Sequence, residues 1–245
     1  MKLDTLAVHA GDRKRAGPFV PITTPIYSSA SFYYPEMETL DRVFGNEIPG
    51  QNYARYNNPT RNALEEQVAA LEAGEWAIAA GSGMAALHLA MTVALLDRRK
   101  SVVAGPVLYG ASIKLLLEIL EPAGVPVHFA DPNDPAVFEA AVAEHQPSVV
   151  LIETITNPML RVTPIDTVVD IAHRHGALVV VDSTFATPLL VKPLALGADL
   201  VVHSLTKYLG GHGDLLGGVV VTRQEFQPAL QAVSRTTGAV LGPFE

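Results

Sequence analysis

An α/β fold, with a seven-stranded and mostly parallel sheet covered by helices on both faces, is predicted from three features of the sequence. After residue 75, short β-branched runs alternate with longer stretches of helical periodicity. Several of the runs are apolar throughout, as strands buried on both faces must be. Prolines and glycines fall where helices would start and stop. The strands are expected at Ala77–Ala80, Ser101–Ala104, Val125–Ala130, Val149–Ile152, Leu178–Val181, Asp199–Val202 and Gly218–Thr222. Between them, helices are expected at 84–96, 111–121, 135–145, 165–175 and 224–235. Asp134-Pro135 and Thr163-Pro164 read as helix starts, Gly124 and Gly176 as stops. Trp76 to Leu96 carries no formal charge over 21 residues, enough to span a bilayer. Gly81-Ser82-Gly83 interrupts it and His88 would lie at membrane depth, so a buried strand, a glycine turn and a buried helix are expected there instead.

The first sixty residues read differently. Pro18, Pro21, Pro25, Pro35, Pro49 and Pro59 are interleaved with Tyr27, Tyr33, Tyr34, Tyr53 and Tyr56, and periodicity survives only near Glu36–Phe44. Residues 1–60 are therefore expected to form an irregular arm, functional or wrapped around a partner, and 61–245 a single α/β unit. Thr60 reads as the cap of a helix running through Leu64, Val68 and Leu71.

Composition narrows the function. The 245 residues are 49% apolar and 17% charged, with mean hydropathy +0.25 and no cysteine. That excludes wholesale disorder, a disulfide framework, thiolate metal sites and a thiol nucleophile. Seventeen basic against 25 acidic residues leave −8, with no basic run longer than Arg98-Arg99-Lys100, which argues against nucleic acid or an anionic membrane as partner. Met1-Lys2-Leu3-Asp4-Thr5 holds an early acid and no apolar signal stretch, so a cytoplasmic protein is expected. No histidine pair has i, i+4 spacing, and no acidic cluster joins His203 or His212, so no metal site is expected.

In open parallel sheets, ligands bind beyond the carboxyl ends of the strands. Here those ends carry Gly81-Ser82-Gly83-Met84, then Tyr109-Gly110, then Glu153 and Thr156-Asn157-Pro158, then Asp182-Ser183-Thr184, and last His203-Ser204-Leu205-Thr206-Lys207. Taken singly, each has a structural reading: a tight turn, a packed ring, a buried ion pair. A lysine among glycines and hydroxyls is harder to explain structurally, because desolvation there would prepare its amine to condense with an aldehyde. Together the groups describe pyridoxal 5'-phosphate (PLP), which needs a lysine for its aldehyde, a carboxylate at its pyridine nitrogen, a phosphate cradle at a helix N-terminus and an aromatic face.

The same residues carry a resemblance. Ser204-Leu205-Thr206-Lys207-Tyr208-Leu209-Gly210-Gly211-His212 resembles the lysine motif of the Cys/Met-metabolism PLP enzymes, the trans-sulfuration family. Tyr53-Ala54-Arg55-Tyr56-Asn57-Asn58-Pro59-Thr60, Ser82-Gly83-Met84-Ala85-Ala86, Glu153-Thr154-Ile155-Thr156-Asn157-Pro158 and Val181-Asp182-Ser183-Thr184-Phe185-Ala186-Thr187-Pro188 are similar to further motifs of that family, in order along the chain. The resemblance implies the type I PLP-dependent transferase fold. It implies that Lys207 holds the cofactor and shuttles protons, that Asp182 pairs with the pyridinium nitrogen, and that Tyr109 stacks on the ring and assists the leaving group. Asn157 would hydrogen-bond the ring oxygen, and Ser82, Gly83, Met84, Ser204 and Thr206 would hold the phosphate. Tyr53 and Arg55 would reach the phosphate of a neighbouring subunit in a homotetramer, a dimer of dimers.

The implied chemistry is γ-elimination or γ-replacement on a small amino-acid substrate, of the cystathionine γ-synthase or γ-lyase type. O-acylhomoserine sulfhydrylase and methionine γ-lyase are alternatives. Ala111 stands two residues after Tyr109, where methionine γ-lyases carry a cysteine. The resemblance also implies a smaller C-terminal domain, bearing an arginine for the substrate carboxylate, beyond Leu241-Gly242-Pro243-Phe244-Glu245. No residue here takes that role, so this chain by itself is expected to turn over weakly. Two readings compete. One is a dinucleotide-binding oxidoreductase, from Gly81-Ser82-Gly83-Met84-Ala85-Ala86 with Asp97 sixteen residues on. The other is a catalytically weak, PLP-binding remnant that oligomerises.

Overall fold

The computed structural model describes residues 1–12, 19–96 and 101–245. Asp97 and the Arg98-Arg99-Lys100 run lie outside the described residues. In chain order the elements are α1 (Leu3–His9), α2 (Met37–Phe44), α3 (Pro59–Glu72), β1 (Trp76–Ala80), α4 (Gly83–Leu95) and β2 (Val102–Ala104). Next come α5 (Gly110–Lys114, continued as a π-helical turn through Leu120), β3 (Val127–Phe129), α6 (Pro135–His145), β4 (Val149–Glu153) and α7 (Ile165–Arg174). The chain ends with β5 (Leu178–Asp182), α8 (Thr187–Leu190), β6 (Leu200–Ser204), β7 (Gly218–Thr222) and α9 (Gln227–Thr237).

All seven expected strands form, in one sheet of order β1-β7-β6-β5-β4-β2-β3. β7 alone runs antiparallel, pairing Val220 with Ile78 on one side and with Val202 on the other. The link from β6 to β7 returns without a crossover helix, so the strand must run back. Because successive side chains point to opposite faces, one strand feeds two cores. Val179, Val181, Val201 and Val221 pack with Val68 of α3, Phe138 of α6 and Val168 of α7. Val180, Leu200, Val202 and Val220 pack with Leu87 and Met91 of α4, Leu116 and Leu230. The uncharged stretch at 76–96 is thus β1, a turn and α4, and among the described residues no helix is long and apolar enough to cross a membrane.

Helix ends follow their capping chemistry. The Asp134 side chain accepts from the Val137 N–H ahead of Pro135, as expected, and Gly124 and Gly176 adopt left-handed φ of 86° and 74°. The start of α3 corrects one expectation. Asn58, not Thr60, is the cap: its side chain accepts from the Thr60 N–H while Pro59 takes the first helical position. Thr60 ties down the arm instead, its hydroxyl accepting from Tyr27 N–H at 2.8 Å and donating to the Pro25 carbonyl at 3.0 Å. Buried Arg61 donates to the carbonyls of Ala54 and Tyr56, fixing the arm motif onto α3. The arm also holds α1, a short helix that the periodicity misses.

At the other end of α3, Glu72 meets His203 of β6 at 3.1 Å with both side chains fully buried, so α3 is locked under the sheet at the strand that leads to Lys207. The interior position of β6 in the sheet gives a test. Leu200→Ala should cost about 2–5 kcal/mol, because Leu200 is fully buried and its site is closed by helix and sheet. Denaturant unfolding reads this directly, and a loss below about 1 kcal/mol would contradict a two-faced core around β6.

Candidate active site

The carboxyl edge of the parallel strands opens into a cleft of about 200 Å³. Ser82, Gly83, Met84, Tyr109, Asn157, Asp182, Ser204, Thr206 and Lys207 all line it, nine of the eleven expected site residues in one place. Tyr53 and Arg55 do not. Arg55 lies over the rings of Tyr53 and Tyr56, 5.3 and 5.1 Å from their centroids, and donates to the Arg235 carbonyl at the end of α9.

The glycine turn sets the cleft floor. Ser82 caps α4, its hydroxyl accepting from Ala85 N–H at 3.1 Å. An α-helix leaves its first N–H groups without intrahelical partners, so Gly83 and Met84 present theirs at the cleft wall, where the helix dipole favours an anion. A Cβ on Gly83 would sit 2.7 Å from the Ser204 Cβ, and one on Gly218 only 2.2 Å from the Ser82 carbonyl oxygen. The α4 N-terminus, the end of β6 and the start of β7 therefore touch backbone to side chain. The chain returns here once more: Gly81 N–H donates to the Ala239 carbonyl.

Two carboxylates enter at adjacent strand ends, Glu153 opposite Asp182 in the β4–β5 register. Asp182 accepts from the Thr184 N–H at 2.9 Å, and the Thr184 hydroxyl accepts from Ser204 N–H at 2.9 Å, which joins the ends of β5 and β6. Burial pushes the Asp182 carboxyl above the usual carboxylate range, against the opposing pull of its Thr184 hydrogen bonds and of His203. Glu153, nearly buried, is pushed up to about 7 by the same cause. The sequence places it at a strand end without a role, yet its two oxygens accept from Tyr109 N–H (2.7 Å) and Asn157 N–H (2.9 Å). The signal was there: an acid closing an all-apolar run, as Asp182 does. Leu216, which also lines the cleft, follows a glycine-rich loop and had no such signal.

One expectation needs correcting. Lys207 is exposed at the cleft rim, so this chain's own packing does not provide the desolvation expected of it. It sits in a π-helical turn, Leu205–Leu209, that breaks at Lys207 itself with ψ of −123°. The Thr206 hydroxyl is already engaged, accepting from Gly217 N–H at 3.1 Å and lying 3.3 Å from the Gly217 carbonyl, so it shapes the loop as well as lining the cleft. Tyr109 is half exposed at 48%, its ring in the cleft.

The donor set fits PLP part by part: an amine, a carboxylate, an anion-binding helix end that only glycine permits, an aromatic ring and an amide. Among known proteins, the chain matches the family described as Cys/Met metabolism PLP-dependent enzyme over residues 4–245. It is 42% identical to L-methionine gamma-lyase of Fusobacterium nucleatum over 99% of this chain and 61% of that protein. It is 38% identical to cystathionine gamma-lyase of Bacillus subtilis, over 99% of this chain and 61% of that protein. The structure of cystathionine gamma synthase from Xanthomonas oryzae pv. oryzae in complex with aminoacrylate and cysteine superposes with a TM-score of 0.90 at 37% identity, covering 100% of this chain and 60% of that one. The chain thus spans about three-fifths of the length of the relatives it matches.

The packing at the turn is testable without any ligand. Gly218→Ala should destabilise the fold by about 1–3 kcal/mol, since the added methyl meets backbone that cannot give way. A variant as stable as wild type by thermal or urea melting would show that the turn is not held as described.

Proposed function

The chain belongs to the Cys/Met metabolism PLP-dependent enzymes, and on that premise we propose that it binds PLP in the β-edge cleft and serves γ-elimination or γ-replacement on a sulfur amino acid or an O-acylhomoserine. The observation that carries the reading is the convergence of Lys207, Asp182, Tyr109, Asn157 and the α4 N-terminus on one cleft. When bound, PLP supplies an electron sink for negative charge formed at the substrate α-carbon. Lys207, at the cleft rim, would bind the aldehyde through its amine and carry a proton from the α-carbon. Asp182, as a carboxylate, would hold a proton at the pyridine nitrogen through its negative charge. Tyr109 would cover the ring, Asn157 would donate to the ring oxygen, and Gly83, Met84, Ser82, Ser204 and Thr206 would hold the phosphate.

Synthase, lyase and sulfhydrylase share these motifs, and relatives bearing more than one of those names match at similar identity. Ala111 disfavours the methionine γ-lyase reading. We take the cystathionine γ-synthase or γ-lyase type as the working assignment, with product analysis on cystathionine, O-succinylhomoserine and methionine to discriminate.

The partner is a second copy of this chain. Tyr53 and Arg55 lie outside their own cleft while the arm motif around them is clamped by Arg61, so the motif is presented as a rigid unit. Such a unit suits delivery to a neighbour's phosphate in a homo-oligomer, of which the tetramer is the proposed form.

Two outcomes are expected. PLP added to Lys207→Ala should give no long-wavelength cofactor band, whereas Asp182→Asn should keep the band and exchange the substrate α-proton about 10²-fold more slowly, equal to about 2.7 kcal/mol of lost stabilisation. A persistent band in the first, or unaltered exchange in the second, removes the corresponding role. Mixing Arg55→Ala and Lys207→Ala chains should restore up to about a quarter of tight PLP sites if the arm crosses a two-fold interface. Failure to complement, with a monomeric mass by light scattering, would rule the crossing out.

A further inference from the structure

Glu153 lies at the junction of the two loops that present Tyr109 and Asn157. These loops leave the adjacent parallel strands β2 and β4, whose ladder ends at Ala104 opposite Leu151 with Gly105 N–H donating to the Leu151 carbonyl. A single buried carboxylate accepts both backbone N–H groups, one on each oxygen. Its own backbone is held by Thr163, whose hydroxyl donates to the Glu153 carbonyl at 2.7 Å. Burying a carboxylate is unfavourable unless its hydrogen bonds are made in full, and an apolar residue would extend the core run Val149–Ile152 without that penalty. The stability of β4 therefore does not explain the acid. What the acid does supply is a fixed distance between two loops.

We propose that Glu153 is a positioning residue, whose one carboxylate clamps Tyr109 and Asn157 together so that ring-stacking and ring-oxygen contacts are set as a unit. The proposal rests on the reading of the cleft as a PLP site. Ionised, the carboxylate accepts both N–H groups; protonated, one oxygen carries a hydrogen and that side of the clamp weakens. Burial brings this change to about pH 7. The charged groups facing Glu153 are Asp182 from β5, the Arg161–Asp131 ion pair around a small cavity behind it, and Lys207 across the cleft. Stability moves the other way. The folded carboxyl keeps its proton to about 7 while an unfolded one loses it near 4.5, so its contribution is full below 4.5 and is lost as pH rises through 7. A merely structural acid would loosen its neighbours as stability falls; the clamp tightens them.

Amide proton shifts of Tyr109 and Asn157, followed by NMR in the cofactor-free full chain, test this. Both should titrate together with one midpoint near 7, and neither should titrate in Glu153→Gln. At pH 8 that variant should bind PLP about tenfold more weakly while keeping the Lys207-dependent band. If Glu153→Gln fails to fold, Glu153→Asp, too short to reach both amides, should show the titration at one of them only. Separate midpoints, an unchanged titration in the variant, or unchanged PLP affinity would each overturn the clamp. A wild-type chain that takes up no PLP would sink the functional reading instead, and the joint titration would still decide whether the clamp exists.

Discussion

The rest of the site depends on one close approach: the backbone at Gly218 rests so near the Ser82 carbonyl that no side chain fits between them. β7 can be inserted between β1 and β6 only if the glycine turn entering α4 lies flat on its first residue. Gly83 is then pressed on Ser204, which brings the end of β6 against the positive end of a largely buried helix. Lys207 follows three residues later, on the link that the antiparallel return of β7 makes short. A phosphate-sized anion at Gly83 and an amine at the cleft rim are thus fixed by the same contact that closes the sheet.

Electrostatics at this edge work through burial. Both Asp182 and Glu153 end strands whose preceding residues are all buried, so each carboxylate is carried into a region of low polarity and made more basic by it. Their partners differ. Asp182 answers to a threonine that also joins β5 to β6, while Glu153 answers to the amides of two separate loops. The sheet provides the register and the acids set the geometry of what extends beyond it. Beneath this layer, the Glu72–His203 contact links the strand before Lys207 to α3, whose other end holds the arm through Asn58, Thr60 and Arg61.

Much of this was legible in the sequence because it is local. Seven apolar runs became seven strands, and the residues just past them became the cleft, since a parallel sheet must expose its carboxyl edge. What sequence could not give depends on contacts between distant segments. The reversal of β7 is set by which neighbours it joins, and Thr60 serves an arm segment some 35 residues away rather than capping α3. The exposure of Lys207 is likewise a property of the assembled edge, not of its glycine-rich surroundings. Glu153 stands at a strand end in the sequence, but its role depends on the convergence of the loops after β2 and β4 on it.

The central claim is that one lysine at this edge takes the cofactor. The chain has six lysines, Lys2, Lys14, Lys100, Lys114, Lys192 and Lys207, so the assignment can be read in a single experiment. Borohydride reduction of the PLP-loaded chain, followed by peptide mapping by mass spectrometry, should place the pyridoxyl label on Lys207 at close to one per chain. A label on Lys114 or Lys192, or one spread over several lysines, would contradict the account.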